Sequence, residues 1–360
     1  MSCRNYTSKT RFLKLLVASV LYAPVCWAEF SSDFLFFPHA MSMFRFGLDD
    51  QPEFDGDHHH ALEKDHYEAA VDLFFTIEAG NFRFLGEYLF STEEQHMERF
   101  QAGWLIGNHM IWLGRFHNPV GYWNTRHHHG AYLQTSISRP SLARYEEHGG
   151  ILPMHQAGLL LEGMFERGDS GLGYSLALAN GPEYTGRLEP WDVLNPSAGE
   201  QDVSITLNFF QEIASGRHGL FANYSKIPST IAPIVEIKQR IAGGYLDWEF
   251  ERWTWHASVF YVDNDLVQKS GSEKNSFFNA YVQGEYRMSE QFRLVGRIEG
   301  TAGGEDDAYL ELFPNFIEDR VLAGIRFDFA SHNALKLEFS ANRTQREDFG
   351  ELSLQWSAQF

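Results

Sequence analysis

After residue 28 the chain has no cysteine, because Cys3 and Cys26 both lie within the first 28 of its 360 residues. Once that segment is removed, disulfide and thiolate chemistry are excluded. Also missing beyond Ala28 is any unbroken apolar run of the about 18 residues that a spanning helix needs. Positive charge is scarce: 29 Lys and Arg face 48 Asp and Glu, a balance that repels nucleic acid and attracts cations. No Gly-x-Ser-x-Gly element or comparable catalytic cluster occurs, so the chain reads as a non-enzyme.

The N-terminus carries Arg4, Lys9, Arg11 and Lys14 without an acid, then an apolar stretch from Phe12 to Trp27 that closes on Ala28. A basic start, a short apolar run and a small residue at the cut are what export machinery reads, so residues 1–28 are expected to be a secretory signal peptide. The expected mature domain is 29–360. It keeps all sixteen histidines and carries 25 basic against 48 acidic side chains, a net charge of −23.

Aromatics make up 15% of the chain, with 31 phenylalanines, and they fall in a period of two. Leu352, Leu354, Trp356, Ala358 and Phe360 alternate with Glu351, Ser353, Gln355, Ser357 and Gln359, which is the side-chain pattern of a strand. Val321 to Phe329 and Leu335 to Phe339 repeat it, with charges on one face and hydrocarbon on the other. Segments of this kind are long enough to cross a bilayer as tilted strands.

Sixteen such strands are predicted, beginning near residues 40, 67, 82, 97, 109, 156, 171, 202, 217, 234, 252, 276, 291, 319, 333 and 350. Their connections alternate. Short links such as Gly80-Asn81, Gly107-Asn108 and Ser331-His332-Asn333 follow even strands, and longer ones near 48–66, 117–154, 181–201, 263–275 and 300–318 follow odd strands. Tight turns at one end and long loops at the other describe an all-β transmembrane antiparallel barrel. At this strand number the interior is too wide for side chains to fill, which points to a water-filled channel. About ten residues separate Glu29 from the first predicted strand, too few for a plug domain.

The strand ending on Phe360 resembles the C-terminal signature of bacterial outer-membrane proteins, which implies the barrel-assembly machinery as a partner and the outer membrane, with its lipid and lipopolysaccharide, as the location. The whole plan resembles the sixteen-stranded porins of Gram-negative bacteria. Gly114-Arg115-Phe116-His117-Asn118-Pro119-Val120-Gly121 is similar to a Gly-x-Phe-x-x-Pro-x-Gly pattern of the phosphate-selective porin group, although the lysine-rich loop of that group is absent. The resemblance implies passive diffusion of small hydrophilic solutes, a third loop (117–154) that forms the constriction, and a homotrimer.

Histidine clusters in two places: His58, His59, His60 and His66 near Asp55 and Asp57, and His117, His127, His128, His129, His148 and His155 in or beside the third loop. Imidazole suits zinc, copper and nickel, so these groups are candidate ligands for a loosely bound divalent metal, with no cofactor required. A solvated loop without a ligand and a pH-sensitive gate are the other readings of the same residues. Candidate pore-lining charges are Arg115, Glu146, Glu147, Arg293, Arg297, Arg326, Asp328, Lys336 and Glu338. The functional expectation is a porin biased toward cations or divalent metals; a surface receptor or adhesin is the alternative, and a barrel enzyme is a distant third.

Overall fold

The computed structural model describes residues 30–48, 62–93, 95–126, 130–168, 170–191, 193 and 201–360. The expected signal peptide lies outside them, as do Asp55, Asp57, His58, His59, His60, His127, His128, His129 and the side chain of Glu147.

Sixteen strands close into one antiparallel barrel in which each pairs with its neighbours in sequence and the last returns to the first. They are β1 (Phe30–Phe46), β2 (Asp65–Ala79), β3 (Phe82–Ser91), β4 (Gln95–Ile106), β5 (His109–His117), β6 (His155–Arg167), β7 (Ser170–Asn180) and β8 (Val203–Ile213). The second half comprises β9 (Gly216–Pro228), β10 (Ile234–Phe250), β11 (Trp253–Gln268), β12 (Gly271–Arg287), β13 (Phe292–Ala302), β14 (Asp319–Ala330), β15 (Asn333–Arg343) and β16 (Asp348–Ala358).

Burial in this barrel is inverted relative to a water-soluble protein. On β15, Leu335, Leu337 and Phe339 are 40–48% exposed on the outer face while Lys336 and Glu338, between them, are 1% and 3% exposed on the inner face. A closed hydrogen-bonded wall with hydrocarbon outside is the form in which strands satisfy every backbone group inside lipid. Aromatic groups mark the short-turn end of that outer face: Phe82 against Trp104, Trp253 against Trp255 and Tyr286, and Phe292 stacked on Phe327 at 4.6 Å. This is the position of an interfacial girdle.

Two expectations need correction. The first strand starts at Phe30, not near 40, and Phe34 and Phe36 already alternate on the outer face. Ser31-Ser32-Asp33 and Pro38 hide it in the sequence. Pro38 donates no ladder bond, and it interrupts the ladder with the C-terminal strand: the β16 register ends at His39, a last pair of backbone bonds joins Phe36 to Phe360, and the β2 register runs back to Phe30. The expected loop at 263–275 is only Lys269 and Ser270 between two long strands. There Val262, Leu266 and Phe277 turn inward, and Asp263 and Asp265 lie on the other face of β11, so the alternation changes phase and stops looking like a lipid-facing strand.

Gly114 shows why one motif residue must be glycine. Its φ is +138°, and a Cβ there would lie 2.0 Å from the Phe100 carbonyl oxygen of β4. The close approach lets β5 stay paired beside β4 as it runs into the third loop.

Candidate functional site

The connection from β5 to β6, residues 118–154 and called L3 below, lies inside the barrel over its described residues, 118–126 and 130–154. It contains a one-turn helix (Trp123–Arg126) and three single 3-10 turns (Ala131–Leu133, Ser141–Ala143, Glu146–His148). Two unlike walls hold it.

Along β12 to β15 the wall is ionic, and it reads the backbone of L3 almost residue by residue. Lys336 donates to the carbonyls of Ala131 and Ser136. Arg326 donates to the carbonyls of Tyr132 and Gln134, the latter at 2.9 Å, and is held by Asp328. Glu285 accepts from the Thr135 hydroxyl at 2.6 Å, and Glu338 accepts from the Ile137 and Ser138 amides at 2.8 and 3.2 Å. Arg297 donates to the Ser138 carbonyl at 3.0 Å, Arg320 to the Arg139 carbonyl at 3.1 Å, and Glu299 accepts from the Ser141 amide. Cations take carbonyls and carboxylates take N–H groups, so the strands offer the complement of a loop that lacks partners of its own.

On the adjoining arc, β9 to β12 present hydrocarbon. Tyr122 stacks on Tyr245 at 5.5 Å, and Trp123 meets Tyr281 edge-on. Val120, Leu142, Ile151 and Leu152 join Phe221, Ile241, Phe260 and Val262 in one buried cluster. Two other loops complete it. Residues 181–202 contribute Tyr184 and Leu188 from a two-residue ribbon, and residues 303–318 contribute Tyr309, Leu310, Phe313 and Phe316. The Tyr309 hydroxyl donates to the Ile151 carbonyl, and burial raises its pKa.

The filled zone leaves a cavity on either side. On the long-loop side about 450 Å³ opens between L3 and the wall of β1, β2 and β16. It is lined by Arg45, Arg139, Arg144 and Arg320, by Glu63, Glu68, Glu93 and Glu351, and by His66 and His148. Burial, reinforced by Arg320 and Arg45, brings the Arg144 guanidinium down to about 10, so it stays cationic at neutral pH. On the short-turn side about 300 Å³ lies beneath Thr125, lined by Glu162, Ser175, Asn208 and Arg217 among others.

The candidates read from the sequence therefore separate into groups. Arg297, Arg326, Lys336 and Glu338 face inward and hold L3, with Asp328 behind Arg326. Arg293 is half-buried on the inner face of β13, beside Arg287 and Arg326 in register. Arg115 is 4% exposed and donates to the carbonyls of Glu98 and Trp191. Among the histidines, His66 and His148 share the outer cavity, His66 lying 3.2 Å from Glu93.

His117 belongs to a different group. It is brought beside His155, its register partner across β5 and β6, and both lie under Tyr145 of L3. Glu146 is fully buried there and accepts from the Met154 and His155 amides. Two members were missed in the sequence, His96 and Glu98. Strict alternation on β4 sends Glu98 outward into lipid, but a register shift between Glu87 and Tyr88 turns it inward. The signal was the acid in the wrong phase beside Arg99.

No protein-family model matches the chain, and no curated protein matches its sequence. Solved structures do. The outer-membrane channel DcaP of Acinetobacter baumannii matches with a TM-score of 0.59 at 13% identity, covering 93% of this chain and 99% of that one. An anion-selective porin from Comamonas acidovorans matches with a TM-score of 0.59 at 10% identity, over 92% and 100%. OmpF of Salmonella typhi, solved with daunomycin, matches with a TM-score of 0.56 at 13% identity, over 91% and 97%. The chain has the sixteen-stranded fold of Gram-negative outer-membrane porins.

Proposed function

We propose that this protein is an outer-membrane diffusion channel for small hydrophilic solutes, with L3 as its constriction. The observation that carries the reading is a barrel with hydrocarbon outside and a charge-tethered loop across its lumen, between two polar cavities. A loop pinned by seven charged wall residues narrows a wide barrel to a path that admits small solutes and rejects large ones.

The finer reading is a bias toward cations, with zinc-class ions bound loosely at the loop histidines. It is supported by the acid excess of the chain and by the four carboxylates and two histidines of the outer cavity. Homotrimeric assembly follows from the same resemblance and is tested by crosslinking in native membranes. Planar-bilayer recording of the refolded chain under a salt gradient tests the channel and its selectivity together. The expected result is conductance with a cation-signed reversal potential that micromolar zinc reduces and chelator restores. A silent bilayer removes the channel reading. An anion-signed potential assigns selectivity to Arg45, Arg139, Arg144 and Arg320 instead.

A further inference from the structure

The buried group at the root of L3 has the chemistry of a metal site. Glu98, His117 and His155 each offer one donor atom, and these atoms all lie within 4.8 Å of one another. The His155 Nε2 is 2.7 Å from Glu98 Oε2, and the His117 Nε2 is 3.7 Å from the same oxygen. All three residues are at most 6% exposed. We propose that Glu98, His117 and His155 bind one divalent cation of the zinc class, clipping L3 to β4, β5 and β6.

The donor set selects the ion. Two imidazoles and one carboxylate suit zinc, copper or nickel, whereas magnesium and calcium favour oxygen donors. Ligand bonds of about 2.1 Å in a tetrahedral site place donors about 3.4 Å apart, so the ion displaces the short His155–Glu98 contact and draws His117 inward, with shifts under about 1 Å.

The surroundings orient these ligands. Glu146 lies 3.0 Å from His155 Nδ1, the carboxylate–histidine arrangement that leaves Nε2 with its lone pair toward a metal. His96 sits 2.6 Å from Glu98 Oε1, which leaves Oε2 for the ion. His117 and His155 flank L3 on β5 and β6, Glu98 comes from β4 and the supporting Glu146 from L3 itself, so one ion ties the loop's two roots to the wall. The site takes His117 and His155 from the histidines read in the sequence and none of the outer-cavity pair His66 and His148, and it does not depend on the channel being open.

The test uses the full mature chain in detergent, with His58, His59, His60, His127, His128 and His129 all changed to Ala so that the two histidine triplets cannot contribute. Cobalt, as a spectroscopic stand-in for zinc, is titrated after dialysis against chelator. The expected result is one ion per chain, with the visible bands of low-coordinate cobalt, displaced by zinc. Glu98→Gln and His155→Gln should abolish those bands, and Glu146→Gln should weaken binding by about 10- to 100-fold. Heat-modifiable gel mobility reports that each variant still forms the barrel, and His117→Gln serves as the alternate ligand variant if His155→Gln does not fold. Absence of stoichiometric cobalt from the folded chain, or binding that survives Glu98→Gln, overturns the proposal and leaves the group as a hydrogen-bonded seat for L3.

Discussion

The two walls that grip L3 differ in kind. Along β12 to β15 the contacts run from charged side chains to the loop backbone, through Lys336, Arg326, Glu338, Arg297 and Glu299. Along β9 to β12 they run from apolar side chains to apolar side chains, around Tyr122, Leu142, Tyr245 and Phe260. Backbone hydrogen bonds to fixed charges set a conformation residue by residue, because each unmet amide or carbonyl in a closed space is costly. Hydrocarbon packing holds the loop without dictating its register. The ionic wall therefore determines where L3 lies, and the apolar wall keeps it inside the barrel.

The largest expected effect comes from breaking the ionic side. Arg297→Ala leaves Glu299 buried beside Arg320 without its 2.8 Å partner and frees the Ser138 carbonyl. Removing one member of a buried pair costs about 3–5 kcal/mol, to be read as a fall in the denaturant midpoint. With Glu338→Ala added, Ile137 and Ser138 lose their wall contacts between the remaining tethers at 136, 139 and 141, and conductance should rise several-fold. On the other wall, Leu142→Ala empties a fully buried site at about 2–5 kcal/mol. It should make L3 more sensitive to added protease while changing conductance less than the tether double variant does.

A smaller effect separates inner from outer face. Leu337→Arg, on the lipid side between Lys336 and Glu338, should cost about 2–4 kcal/mol if it lies near the bilayer midplane, measured by unfolding in lipid. Tyr309→Phe should be the mildest, at about 1 kcal/mol, because it removes a hydroxyl's hydrogen bonds, to the Ile151 carbonyl and with Gln239, without opening a cavity.

The outer half of this architecture was legible in the sequence and the inner half was not. Lipid imposes a strict alternation on every crossing strand, so Leu335 to Phe339 and Leu352 to Phe360 announced themselves, and short turns such as Gly80-Asn81 kept the count in phase. The rule fails where lipid ends. Phe30 to Pro38 was obscured by its serines and proline, and the extensions of β11 and β12 reversed their apolar face to meet the loops. Inside, Arg297, Arg326, Lys336 and Glu338 were readable as inward-facing charges, but their partners are backbone atoms of a loop some 160 to 200 residues away in sequence, which no local pattern encodes. Glu98 was lost to a single bulge.

Single-channel conductance of the refolded chain, compared with that of the Arg297→Ala and Glu338→Ala double variant, tests the tethered constriction most directly. The account predicts a small wild-type conductance that rises several-fold in a variant whose gel mobility still shows a folded barrel. Equal conductance in the two folded proteins would contradict it.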